Sequence, residues 1–314
     1  MKRKVIKQGN NTLTITLPRK WTSKQNISAG DEINLEEKGS GILIAGQTNS
    51  KEREICVKID NLDRTTVHLL IQGMYCYGYD SIEIHCNSTV FPHYRLKKNV
   101  GVGVTIYELT NRLVGAEVIQ ASKNHYIIKR IAEESFKDFP TVLRRIFLLV
   151  LEMMETFIGG AEQNDHEILR SIEFQHNNLK KFINFCLRLL NKYGHEDSKQ
   201  TCFYFTIISL LSKIEDIVKN ASRYMMTFNL SIEHKEAFNL LQEIQSSFKQ
   251  YYALFYNYQL GKISELDEHR DTFRNHLFSV SPKLSKEENV LLGGLSQIIE
   301  LILDMTEIRM GMEE

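Results

Sequence analysis

The chain has 314 residues, 42% hydrophobic and 25% charged, with 39 basic and 39 acidic side chains. That length exceeds one ordinary core and predicts two or three domains of average soluble composition. A formal net charge of zero excludes a globally basic or acidic protein, so any polyanion or cation site has to come from local segregation of charge.

Cys56, Cys76, Cys86, Cys186 and Cys202 are scattered without a CxxC pair. Free thiols in a reducing compartment fit that spacing better than a disulfide scaffold or a zinc ribbon. Gln8, Gly9, Asn10 and Asn11 interrupt any apolar run behind the basic start, so no secretory signal is read. The most apolar stretch, 146–154, is far shorter than the roughly 20 residues of a membrane span. These features predict a cytoplasmic protein with no membrane insertion.

The first 25 residues carry Lys2, Arg3, Lys4, Lys7, Arg19, Lys20 and Lys24 and no carboxylate. Positive charge collected in this way seeks polyanions. Alternation predicts short strands near 4–7 and 12–17 around a Gly-Asn-Asn turn. Pro18 then ends the second strand, and 19–25 can form a turn or two of helix. Gly30 serves a tight turn before two further alternating strands at 33–35 and 42–44. About 45 residues cannot bury a core alone, so the module needs a partner.

The run Val5-Ile6-Lys7-Gln8-Gly9-Asn10, then Ile15-Thr16-Leu17-Pro18-Arg19-Lys20, then Ile27-Ser28-Ala29-Gly30-Asp31-Glu32-Ile33 resembles the AbrB/SpoVT/MazE swapped-hairpin family. The resemblance implies an all-β module over 1–46, a homodimer of interleaved hairpins, and double-stranded DNA as ligand. By position it implies DNA contacts from Arg3, Lys4, Lys7, Asn10, Arg19 and Lys20. Trp21, the single tryptophan, reads as a core plug.

After a polar linker at 47–50, the order β-α-β-α-β-β predicts a small α+β domain over 52–133. Gly101-Val102-Gly103 lacks the rest of any nucleotide fingerprint. His85 beside Cys86 is a bare dipeptide and too little for a metal site. The module reads as a spacer or dimerisation unit.

Helical periodicity fills 139–314. Helices are predicted at 141–159, 162–193, 198–228, 232–260, 264–280 and 286–310, with Gly159-Gly160 stopping the first. They form two sets of three, and the sets end on a weak repeat, Leu211-Ser-Lys-Ile214-Glu-Asp216 and Leu295-Ser-Gln-Ile298-Ile-Glu300. Spacing of four pairs Asp216 with Asn220, Asp267 with Asp271, and Glu300 with Asp304. Oxygen ligands one turn apart suit a hard cation or iron. Apolar neighbours around Glu300 and Asp304 suggest a crowded site, where a buried carboxylate needs a cation.

These residues resemble the PhoU family, whose three-helix repeats carry an E/D-x-x-x-D metal motif. The resemblance implies an all-α six-helix bundle of two three-helix repeats. It also implies a divalent metal or iron in the second repeat, while Ser212 and the sequence around Glu173, His176, Asn177 and Lys180 depart from the motif in the first. With the hairpin module, the chain resembles archaeal phosphate-uptake regulators. That implies a DNA-binding transcriptional regulator of phosphate uptake with no enzymatic activity. A signalling adaptor that docks a phosphate transporter component or a kinase without binding DNA is the alternative. A metal-dependent phosphohydrolase lacks a nucleophile or general base grouped with the carboxylates.

Overall fold

The computed structural model describes residues 2–9, 12–38, 41–45 and 52–313. Contacts divide the chain into two compact units, Met1–Lys51 and Glu52–Glu314. Asn10, the Gly39-Ser40 turn and the 47–50 linker lie outside the described residues.

In the first unit, β1 (Ile6–Gln8) and β2 (Thr12–Thr14) pair antiparallel, with Lys7 opposite Leu13. Both strands are shorter than the alternation suggests. Pro18 sits in extended backbone, and its carbonyl accepts the N–H groups of Trp21 and Thr22, which opens α1 (Arg19–Lys24). Gly30 takes φ +96°, and the Asp31 carboxylate accepts the Ser28 N–H at 2.7 Å to close the turn. β3 (Asn34–Lys38) and β4 (Gly41–Ala45) form a second antiparallel pair.

The second unit begins with a four-stranded sheet in the order β5-β6-β10-β9. β5 (Glu54–Lys58) and β6 (Ser81–His85) are parallel and joined by α2 (Arg64–Tyr77), as a crossover requires. Asp63 caps α2 by accepting the Thr65 and Thr66 N–H groups. Val67, Ile71, Met74 and Tyr75 form the buried face of α2. α3 (Val102–Thr110), β9 (Ala116–Ala121) and β10 (His125–Arg130) follow. One hairpin has no counterpart among the predicted elements: β7 (Val90–His93) with β8 (Lys98–Gly101). Four-residue strands, one of them holding Pro92, leave too little alternation to see.

Six helical segments follow, the last of them broken: α4 (Phe139–Glu162), α5 (His166–Tyr193), α6 (Gln200–Phe228), α7 (Lys235–Tyr256), α8 (Leu260–Val280), then α9 (Lys286–Leu295) and α10 (Gln297–Gly311). The region after the β module is thus mostly helical. α4, α5 and α6 pack on one another, as do α7 with α8 and α9, and the sets meet through α4 with α7 and α6 with α9 and α10. A continuous apolar core runs through both sets.

Two boundaries differ from expectation. Gly159-Gly160 does not stop α4; a Cβ on Gly160 would lie 3.0 Å from Leu169 of α5. Glycine there permits close helix approach, and the turn comes later, at Asn164 with φ +49°. The 286–310 helix breaks at Ser296.

The expected boundary between 52–133 and 139–314 falls inside the second unit. Arg188 of α5, 0% exposed, joins the two parts. It donates to Asp80 Oδ1 at 2.6 Å, to Glu134 Oε1 at 2.5 Å and to the Tyr75 and Tyr79 carbonyls. Lys192 adds a bond to Asp80 at 2.6 Å. Burial opposes ionisation of Asp80, yet Lys192, the Arg53 N–H and Arg188 hold its carboxyl down at about 2. Among the described residues, no helix is long and apolar enough to cross a membrane.

Candidate nucleic-acid interface and the buried polar cluster

The basic strip of the N-terminal module is open to solvent. Arg3 and Lys4 lie in the extended run before β1, Lys7 lies on β1, and Arg19 and Lys20 begin α1; all five are exposed. Among the described residues, no carboxylate forms an ion pair with any of them. Asn10, the sixth residue expected at DNA, lies outside the described residues.

Many apolar side chains of this module are open as well. Val5, Ile6, Leu13, Ile15, Leu35 and Ile42 are exposed, Leu13 to 70%. Trp21 is half-buried, and no described residue of the module is buried. A β module with its alternate apolar residues in water has no core of its own within one chain.

In the helical part, polar side chains gather between α5 and α6. Lys180 Nζ lies 2.6 Å from Glu215 Oε1 and 3.1 Å from Asp216 Oδ2, and it donates to Ser212 at 2.5 Å. His176 Nδ1 contacts the other oxygen of Glu215, and Lys219 pairs with Asp216. One turn away along each helix, Arg223 grips Glu173 through two bonds of 2.8 and 2.5 Å. Glu215 is 0% exposed.

Burial would keep Asp216 neutral, but Lys180 and Lys219 push its carboxyl below the ordinary carboxylate range. Burial would also discharge Lys180, and Glu215 and Asp216 outweigh it, raising the ammonium. His176, Glu215 and Asp216 offer ligand atoms within 4.8 Å of one another. Two ammonium groups already supply the positive charge that such a set needs, so the cluster is internally neutralised.

The six residues expected as metal ligands do not share one place. Asp216 belongs to the α5–α6 cluster, and Asn220, one turn on, is exposed. Asp267 and Asp271 are exposed on α8, whose buried residues are Leu266, Phe273 and Val280; Asp271 pairs with Arg270. Asp304 is exposed, and Glu300 is 46% exposed in a 3.2 Å pair with Arg274. The expected crowding of Glu300 and Asp304 is corrected: Ile298, Ile299, Ile302 and Met305 take the buried face of α10, and the acids fall beside it.

In the helical part the buried carboxylates lie elsewhere, at Glu215 and Glu288. A single acid beside Asp216 gives Glu215 no signature of its own. Glu288 has one, since Ser285 and Glu288 form a capping box, and its carboxylate also accepts the N–H groups of Glu233 and His234.

Comparison with known proteins matches residues 6–52 to the MazE family, described as antidote-toxin recognition MazE, bacterial antitoxin. The match covers the N-terminal module, which is a MazE/AbrB-like domain, and none of the helical part. No curated protein and no solved structure matches the chain.

Proposed function

We propose that this protein is a DNA-binding transcriptional regulator whose N-terminal module interleaves with that of a second copy. The observation that carries this reading is the module itself. It exposes a basic strip that, among the described residues, no carboxylate pairs with, and leaves Val5, Ile6, Leu13, Ile15, Leu35 and Ile42 without cover in one chain. A second copy supplies the missing core and doubles the number of cations facing the duplex. Lys and Arg contacts to phosphates then provide affinity, and a few base-edge contacts provide sequence choice.

The second unit would set that affinity in response to a signal. The resemblance of its helical sequence to PhoU repeats would make phosphate uptake the regulated process. The matched family's description favours a second reading, an antitoxin-like one, in which the same hairpin dimer serves a protein partner.

Fragments of genomic DNA recovered on the purified protein at stated salt, with and without phosphate, test the first reading. Replacing Arg3, Lys4 and Arg19 with Ala should abolish retention at physiological salt. It should also flatten the salt dependence, by about one in slope for each phosphate that is no longer neutralised. Unchanged retention would favour an adaptor that works without DNA.

A further inference from the structure

The sheet of the second unit has one face covered and one open. Ile82 and Ile84 of β6, with Tyr126 and Ile128 of β10, point inward and are buried. Alternation sends Glu83, His85 and His125 to the opposite face, and Cys56 of β5 is exposed. Register sets Cys56 across from Glu83 and His85 across from His125.

The donor atoms converge. His85 Nε2 and His125 Nε2 each lie 2.9 Å from the same oxygen, Glu83 Oε1. The two imidazole rings are 4.8 Å apart between centroids. Cys56 Sγ lies within 4.8 Å of ligand atoms of both Glu83 and His85, and the thiol is free. The imidazoles of His125 and His85 hold the Glu83 carboxyl below its ordinary range.

We propose that this open sheet face is a zinc site, with Glu83, His85 and His125 as ligands and Cys56 closing the shell. Imidazole, carboxylate and thiolate together form the donor set of zinc, whereas magnesium and calcium prefer oxygen alone. Two ligands two apart on one strand, plus a cross-strand neighbour, gather three donors around Glu83 Oε1. Ligands about 2.0–2.1 Å from a tetrahedral zinc stand roughly 3.3 Å from each other. The two 2.9 Å separations here are close to that value. Cys56 Sγ, within 4.8 Å of ligand atoms of Glu83 and His85, would complete the shell by rotation of its side chain.

The charges nearby differ from those of the α5–α6 cluster. There, Lys180 and Lys219 occupy the position of a cation. On the sheet, Lys129 is engaged by Glu52 at 2.8 Å, and Lys58, opposite His85 in register, forms no ion pair with Glu83 among the described residues. A bound ion would tie β5, β6 and β10 together across the open face. The site stands apart from the DNA-binding reading and neither needs nor supports it.

The test is zinc content of the full chain after dialysis, with cobalt as a spectroscopic substitute. The expected result is about one zinc per chain, and a cobalt derivative with tetrahedral d–d bands and a sulfur-to-cobalt charge-transfer band. His85→Ala with His125→Ala should lose the ion, and Cys56→Ser should lose the charge-transfer band while keeping weaker binding. Glu83→Gln, a near-isosteric change on an exposed face, serves where the double variant fails to fold; it should weaken binding. Wild-type protein that takes up no zinc would overturn the proposal. So would full stoichiometry in the double variant and in Glu83→Gln, or loss of zinc in His176→Ala alone. A wild-type cobalt derivative without the charge-transfer band would overturn the closed shell with Cys56.

Discussion

In the N-terminal module no described residue is buried, and Leu13 stands 70% in water. In the unit that follows, α4 to α10 withdraw apolar side chains into one core and α2 and α3 into a second, and even Arg188 and Glu215 reach 0% exposure. One unit is self-sufficient and uses buried charge to fix how its parts meet. The other exposes apolar residues that, on the proposed reading, a second copy covers. The difference teaches that a chain can join a module without its own core to a self-contained body, so damage to either should leave the other intact.

The largest effect should come from Arg188, where the sheet and the helices meet. Arg188→Ala strands Asp80 and Glu134 in a buried setting, with Lys192 as their remaining cation there beside the half-exposed Arg130. Removing one partner of a buried ionic network costs about 3–5 kcal/mol. Chemical denaturation should show that loss in the second unit, while self-association of the protein that remains folded stays as in wild type. A parallel loss of self-association would mean that the two units are not independent.

The Lys180 cluster should give a slightly smaller effect that can be reversed. Lys180→Met leaves Glu215 with His176 alone and should cost about 3 kcal/mol, because a fully buried carboxylate loses its ammonium. Glu215→Gln in the same chain should recover most of it, and the double-mutant cycle measures the coupling. Manganese should also restore part of the loss in Lys180→Met, since His176, Glu215 and Asp216 already present ligand atoms together. No coupling between 180 and 215 would show that the cluster is held by packing alone.

These two clusters show where the sequence stops being legible. Pro18, Gly30 and the alternation around them are local signals, and the hairpin module can be read from them. The long helices are legible for the same reason, because their apolar period repeats within a single segment. Arg188 offers no local signal, since its partners Asp80 and Glu134 lie more than 50 residues away and on other elements. In the sequence, His85 is paired with Cys86, its chain neighbour, which alternation turns into the core. Its partners are Glu83, two residues back on the same strand, and His125 across on β10, which only the register reveals. Carboxylates four apart on α8 and α10 do share a helix face, but the broken helix at Ser296 and the placement of the buried face decide what that face meets.

Leu13 tests the other side of the comparison. In one chain it is exposed on β2, opposite Lys7, so Leu13→Asp should be harmless to a monomer. In an interleaved dimer it enters the shared core, where burial of a leucine is worth about 2 kcal/mol per copy. Sedimentation should show the variant shifted to monomer, with DNA affinity reduced and the melting of the second unit unchanged. A variant that remains dimeric would place the association surface outside the hairpins.

The smallest effect, and the one with a pH signature, belongs to Glu288. Its carboxylate is 1% exposed and accepts N–H groups from Ser285 at 2.8 Å, Glu233 at 3.0 Å and His234 at 3.2 Å, with the His234 ring at 2.8 Å. Burial opposes ionisation, but the Ser285 and Glu233 donors and His234 hold the carboxyl down at about 2. In the unfolded chain the same group titrates near about 4.3. The folded value is the lower one, so the stabilisation is fully present above about 4.3 and is lost as pH falls toward 2. Glu288→Gln keeps the shape, loses the charge-assisted bonds and should cost about 1–2 kcal/mol at pH 7. Urea denaturation at pH 7 and pH 3 should show wild type losing more stability than the variant across that interval. Equal losses would mean that the α7 and α9 N-termini are held without the charge on Glu288.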